Sequence, residues 1–273
     1  MRKKISVVMV PIIFALLMLT AVSPALAGKA REKERYTVRT ADGVELVLKR
    51  YRPDQTAGFR KGRQPVIVSP GILSNFNCLY LSTPEGEHYD VKLPSHLAPW
   101  AKRDKYIESD PIKYYSLAHF LWNQGYDVWL FNYRGEGREE YTSGGAGGYS
   151  IDDLGIYDMP AAVEKVYEVT RKHPVWCSHS MGSTMAYIYL QGAKYSNGPH
   201  SRVVSDPALA AERNGGQGKQ SLKGFIDLDG PMGTEGGATF DCFLWWQALS
   251  YPYYLDMRGI MLLLADLAVP PAI

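Results

Sequence analysis

Ser178-His179-Ser180-Met181-Gly182 is the stretch of this 273-residue chain with the most chemical content. It joins a short apolar run, Pro174 to Cys177, to a helix-like run that begins at Met181. The pattern is G-x-S-x-G with Ser178 in place of the first glycine. Such a turn passes a strand sharply into a helix and holds its middle serine in a strained conformation, hydroxyl clear of the sheet. Positions two before and two after must be small, because the two backbones approach closely there. Gly182 satisfies this outright, and Ser178 satisfies it at some steric cost. Ser180 is therefore the candidate nucleophile, and the Met181 amide at the helix start is a candidate oxyanion donor. A second donor arises independently in Ser69-Pro70-Gly71-Ile72-Leu73, where a glycine lets the chain turn and the Ile72 N–H can face the same pocket.

The elements that must position these groups follow from periodicity. Tyr36 to Arg39 and Val44 to Leu48 alternate around Ala41-Asp42-Gly43, which predicts a hairpin. Pro65 to Ser69 and Tyr126 to Asn132 are wholly or mainly apolar, as expected of strands buried on both faces. Pro174 to Cys177 and Leu222 to Asp229 give a third and a fourth. Helices are expected over Tyr115–Gln124, Asp152–Lys172 and Met181–Tyr195, with Pro160 kinking or restarting the second. Asn75 to Pro111 reads as irregular, and a polar loop is expected from about Asn197 to Gln220. Strands alternating with helices predict an α/β fold, a mainly parallel sheet flanked by helices. Ligands of such sheets bind beyond the carboxyl ends of the strands, where both candidate turns fall.

Four segments then carry a family resemblance. Pro70-Gly71-Ile72-Leu73-Ser74 resembles the H-G-L-L-x oxyanion turn of acid lipases of the gastric and lysosomal kind, with Pro70 for His. Asp127 to Gly135 resembles their V-W-x-G-N-x-R-G strand end, Tyr157-Asp158-Met159-Pro160-Ala161 their Y-D-x-P-A helix opening, and the Ser180 turn their nucleophile turn. The chain thus resembles the α/β-hydrolase superfamily over about residues 36 to 231. The resemblance implies ester hydrolysis through an acyl-enzyme, with Ser180 as nucleophile, Ile72 and Met181 as oxyanion donors, and a small ester or lipid as substrate. No C-x-x-C or H-x-x-x-H spacing supports a zinc site, and no metal or cofactor is expected.

The rest of the expected machinery is missing. Chain order in this superfamily is Ser, then Asp or Glu, then His. Of the six histidines only His200 follows Ser180, with no carboxylate between them. His179 lies within the turn, where the family position is structural. Asp229, at the end of the fourth strand, is a candidate acid, although a residue before Gly230-Pro231 is more simply a turn former. A strand–helix–strand unit needs about 30 residues. Met232 to Ile273 cannot hold a cap and two further strands, so the expectation is a hydrolase domain over 28–273 without its last strands. In this reading 232–273 begins a cap or lid, rich in aromatics such as Trp245 and Trp246. Inactivity of this chain follows, with a non-catalytic ligand- or partner-binding protein of the same fold as the alternative. A complete Ser180–His200–Asp229 set is a third reading.

Composition narrows the classes further. Thirty Lys and Arg against 28 Asp and Glu, a net charge of +2, give no footprint for nucleic acid. Residues 1–27 read as a secretory signal: Arg2-Lys3-Lys4, an apolar run, then Ala25-Leu26-Ala27. Export is expected, with a membrane anchor through residues 5–22 as the alternative. The lid reading adds a candidate membrane or lipid-surface contact. Export permits disulfides, and of Cys78, Cys177 and Cys242 only Cys78–Cys242 is a candidate pair, since Cys177 falls in a buried strand.

Overall fold

A computed structural model describes residues 34–53, 64–145 and 147–230. Strands β1 (Glu34–Arg39) and β2 (Glu45–Tyr51) pair antiparallel. They are closed by a turn in which the Thr40 N–H donates to the Val44 carbonyl at 2.8 Å. Gly43 supplies the positive φ of +92° that this turn requires. β3 (Pro65–Ser69) is buried at every residue, as its continuous apolar run predicts. The long stretch that follows holds short helical turns, α1 (Lys105–Ser109) and α2 (Leu117–Asn123). Ser116 caps α2 by accepting from the His119 N–H at 3.1 Å.

β4 (Asp127–Asn132) is again wholly buried. α3 (Ile151–Asp153) opens on a reciprocal cap between Ser150 and Asp153, then widens into a π turn over Leu154–Asp158. α4 (Met159–Thr170) restarts the helix with Pro160 in its first turn, where a missing N–H costs nothing. β5 (Val175–His179) leads into α5 (Met181–Leu190). Next come the two-stranded ribbon β6 (Ala193–Tyr195) and β7 (Val203–Ser205), α6 (Pro207–Asn214) and β8 (Gly224–Leu228).

The main sheet has the order β1-β2-β4-β3-β5-β8. β4, β3, β5 and β8 run parallel, with Val66 opposite Val128 and Val175, and Ser178 opposite Asp227. Period-two alternation sorts the strand side chains into two cores. Ile67, Trp129, Phe131 and Trp176 face α4 and α5, meeting Val163, Met185 and Tyr189. Val66, Val68, Val128, Leu130 and Cys177 face α2, meeting Ala118 and Trp122. The sheet is thus covered on both sides, and its strand ends carry the loops of interest.

Two expectations are corrected. The helix from Met181 does not run to Tyr195; it stops at Leu190, because Gly192 turns the chain with φ +69°. A Cβ on Gly192 would stand 2.3 Å from the Asp206 carbonyl oxygen, so the next three residues fold back as β6. The stretch expected as a polar loop to Gln220 holds β7 and α6 instead. Asp206 caps α6 by accepting from the Ala208 N–H at 2.9 Å, and Pro207 sits at its first position. The signal reading of 1–27, the anchor alternative at 5–22, Cys242, and the cap reading of 232–273 with its absent last strands lie outside the described residues. Among the described residues no helix is long and apolar enough to cross a membrane.

Candidate active site

Ser180 stands between β5 and α5 with φ 52° and ψ −120°, a combination costly for a residue with a Cβ. The tight turn is held from several sides. The Ser180 N–H donates to the Leu228 carbonyl at 3.2 Å, which ties it to the end of β8. The Ser180 carbonyl accepts from the Ser183 N–H at 2.8 Å, which starts α5. Met181, the first helical residue, has an amide without an intrahelical acceptor.

Small residues surround the turn because backbones meet there. A Cβ on Gly182 would lie 2.6 Å from the Pro70 carbonyl oxygen and 2.8 Å from Ser69 Oγ. Ser178, where a steric cost is expected, packs against another serine. Ser178 is fully buried, and its Oγ lies 3.0 Å from Ser183 Oγ, which also donates to the Ser178 carbonyl at 3.1 Å.

The loop after β3 passes directly beside this turn. A Cβ on Gly71 would stand 3.1 Å from Ser180 Cβ and 3.0 Å from His179 Nδ1. Gly71 is buried and Ile72 is exposed. The Ile72 amide takes no backbone acceptor. The loop is anchored by Tyr133, the buried residue just after β4, whose hydroxyl donates to the Gly71 carbonyl at 3.1 Å. Burial pushes the Tyr133 phenol well above its ordinary range, so it stays protonated and able to donate.

The remaining candidates are distributed differently. Asp229 follows Leu228, the residue whose carbonyl receives the Ser180 N–H, so it sits beside the turn. It is exposed, with φ 60°. Asp227 is already committed: it accepts from the Tyr187 hydroxyl at 2.7 Å and from the Gly230 N–H at 2.7 Å. His179 rests against Gly71 and is exposed. His200 lies 3.9 Å from Asp153 and against the Tyr195 ring, beyond the carboxyl end of α5, whereas Ser180 is at its amino end. A histidine–aspartate hydrogen bond does exist, His119 Nε2 to Asp104 Oδ2 at 3.0 Å, but it ties the cap of α1 to α2. Sequence reasoning missed Tyr133, which stands at the unspecified position of the strand-end motif. No group of three or more metal-ligating side chains occurs among the described residues.

Comparison with known proteins agrees with this architecture. Residues 111–227 match the hydrolase family described as "Serine aminopeptidase, S33". The chain has the α/β-hydrolase fold. The curated relatives it resembles include lipases. Lipase member M of Mus musculus is 25% identical over 180 residues, 61% of this chain and 35% of the relative. Gastric triacylglycerol lipase of Homo sapiens is 27% identical over 163 residues, 57% of this chain and 34% of the relative. A Pyrococcus furiosus esterase superposes with a TM-score of 0.35 at 20% identity, covering 62% of this chain and 53% of that one. This α/β-hydrolase-fold chain therefore spans about a third of the length of the lipases it matches.

Proposed function

We propose that the chain carries the nucleophile half of a carboxylic ester hydrolase of lipase or esterase type. One observation supports this above all: the Gly71–Ile72 loop lies against a serine held at φ 52°, so that a Cβ on Gly71 would stand 3.1 Å from Ser180 Cβ, and the Ile72 amide takes no backbone acceptor. In the proposed reaction Ser180 Oγ attacks the ester carbonyl carbon. The C=O π electrons move to oxygen, and the oxyanion is received by the N–H groups of Ile72 and Met181. Collapse expels the alcohol and leaves an acyl-serine that water cleaves. The Ser180 proton must go to a base during attack. All six histidines are among the described residues, and none donates to or accepts from Ser180.

We therefore read this chain as inactive without an added base. Substrates are small esters or lipids, and export follows from reading 1–27 as a signal. The placement of His200 at Asp153 favours one second reading, a non-catalytic α/β-hydrolase that binds a ligand in the same cleft. Hydrolysis of a short-chain p-nitrophenyl ester separates the two. Added imidazole supplies the base, so turnover above the Ser180→Ala background should rise in proportion to imidazole. Folded protein whose rate equals that of Ser180→Ala at every imidazole concentration would establish the binding reading.

A further inference from the structure

A tyrosine hydroxyl has one proton to give and two lone pairs to receive. Tyr133 gives its proton to the Gly71 carbonyl at 3.1 Å, in the loop that follows β3. Tyr133 is 1% exposed, so water cannot take the place of this partner. Leu73 is held at φ 56°, a left-handed conformation that a leucine keeps only when its neighbours enforce it. Leu73 lies two residues beyond the carbonyl that receives the phenol proton, so the strained turn and the Tyr133 anchor belong to one loop.

The consequence for Ile72 follows from peptide geometry. In a trans peptide the carbonyl and the next N–H point in opposite directions. No cis peptide occurs among the described residues. Drawing the Gly71 carbonyl toward Tyr133 fixes the plane of the Gly71–Ile72 peptide and turns the Ile72 N–H the other way. An ordinary buried tyrosine also finds a partner, but that partner need not come from the loop that lines a reaction centre.

We propose that Tyr133 is a positioning residue that aims the Ile72 amide at the oxyanion, through its hydrogen bond to the Gly71 carbonyl. This rests on the reading of Ser180 as nucleophile given above. Tyr133 does not touch the reacting atoms; it sets the orientation of the group that does. Preorganised donors act because they need no rearrangement as charge develops.

The test is the rate of phosphonylation of Ser180 by a fluorophosphonate in the presence of imidazole. The Ser180 Oγ–P bond forms, the P–F bond breaks, fluoride leaves and imidazole takes the proton. Tyr133→Phe should lower the limiting labelling rate by about tenfold, less than the ~10²–10³ of losing a donor outright. The probe concentration at half-maximal rate should stay unchanged. A purely structural tyrosine would lower the melting temperature and leave the limiting rate of the folded fraction as it was, which overturns the proposal. Ser180 that labels in neither protein overturns the nucleophile reading and this inference together; equal labelling in both overturns only the role of Tyr133. Should Tyr133→Phe fail to fold, hydrogen exchange in the parent chain decides. A Tyr133 hydroxyl proton protected from exchange supports the anchored loop, and one that exchanges like a solvent-exposed phenol overturns it.

Discussion

At the scale of single residues, Gly182 and Ser180 make opposite demands on the same turn. Ser180 accepts a conformation that its Cβ resists, while Gly182 allows the loop after β3 to come within reach. Replacing Gly182 with alanine would put a methyl group 2.6 Å from the Pro70 carbonyl oxygen, a backbone atom that cannot swing aside. We expect Gly182→Ala to cost about 1–3 kcal/mol by overpacking, read as a lower denaturation midpoint. The loop it displaces carries Gly71 and Ile72, so Ser180 phosphonylation should fall as well. Cysteine reactivity offers an independent check of the β5 packing. Cys177 is 3% exposed among Val66, Val68 and Leu130, and burial pushes its thiol up to about 11. Cys78 is exposed. Iodoacetamide on native protein should therefore modify Cys78 and spare Cys177; rapid modification of Cys177 would show that β5 is not enclosed.

At the scale of elements, the α1–α2 segment is held by a buried carboxylate. Asp104 accepts from the Tyr106 N–H at 2.8 Å, from His119 Nε2 at 3.0 Å and from Asn123 Nδ2 at 2.8 Å. Burial alone would raise its pKa, but His119 and the capping amides outweigh burial and hold it below the ordinary 3.8. A depressed carboxylate stabilises the fold above its unfolded value and loses that contribution as pH falls through its folded value. Asp104→Asn should thus destabilise by about 1–3 kcal/mol near neutrality, and its deficit should shrink as pH drops below about 4. A deficit that stays constant down to pH 2 would contradict this.

Much at this scale was legible in the sequence. The hairpin announced itself by alternation around Gly43, and β3 and β4 by apolar runs too continuous for a one-faced strand. The end of α5 was not, because Ala193 and Tyr195 continue an apolar pattern past the glycine that breaks the helix. α6 was hidden by its polar surface, although Asp206-Pro207 ahead of Ala-Leu-Ala-Ala-Glu is a start signal in its own right. The strand-to-helix turn at Ser180 was legible because it constrains residue size at Ser178 and Gly182. The Tyr133 contact was not, since it is made with a loop 62 residues away in the chain.

At the scale of the whole molecule, function depends on strand order. β3 lies between β4 and β5, and β8 lies on the other side of β5. That order alone brings the Gly71 loop, Tyr133, Ser180 and the Leu228 carbonyl to one end of the sheet, although they come from four separate strand ends. The parallel pairing of β4, β3, β5 and β8 makes all four of those ends carboxyl ends, where the loops are free to line a cleft. The proposal that this arrangement makes Ser180 a nucleophile, with no histidine bonded to it, is tested most directly by peptide mapping by mass spectrometry after fluorophosphonate treatment with and without imidazole. A single adduct is expected, on the peptide containing Ser180, formed slowly alone and faster in proportion to imidazole. Folded protein that carries no adduct at saturating imidazole, or carries it on another residue, would contradict it.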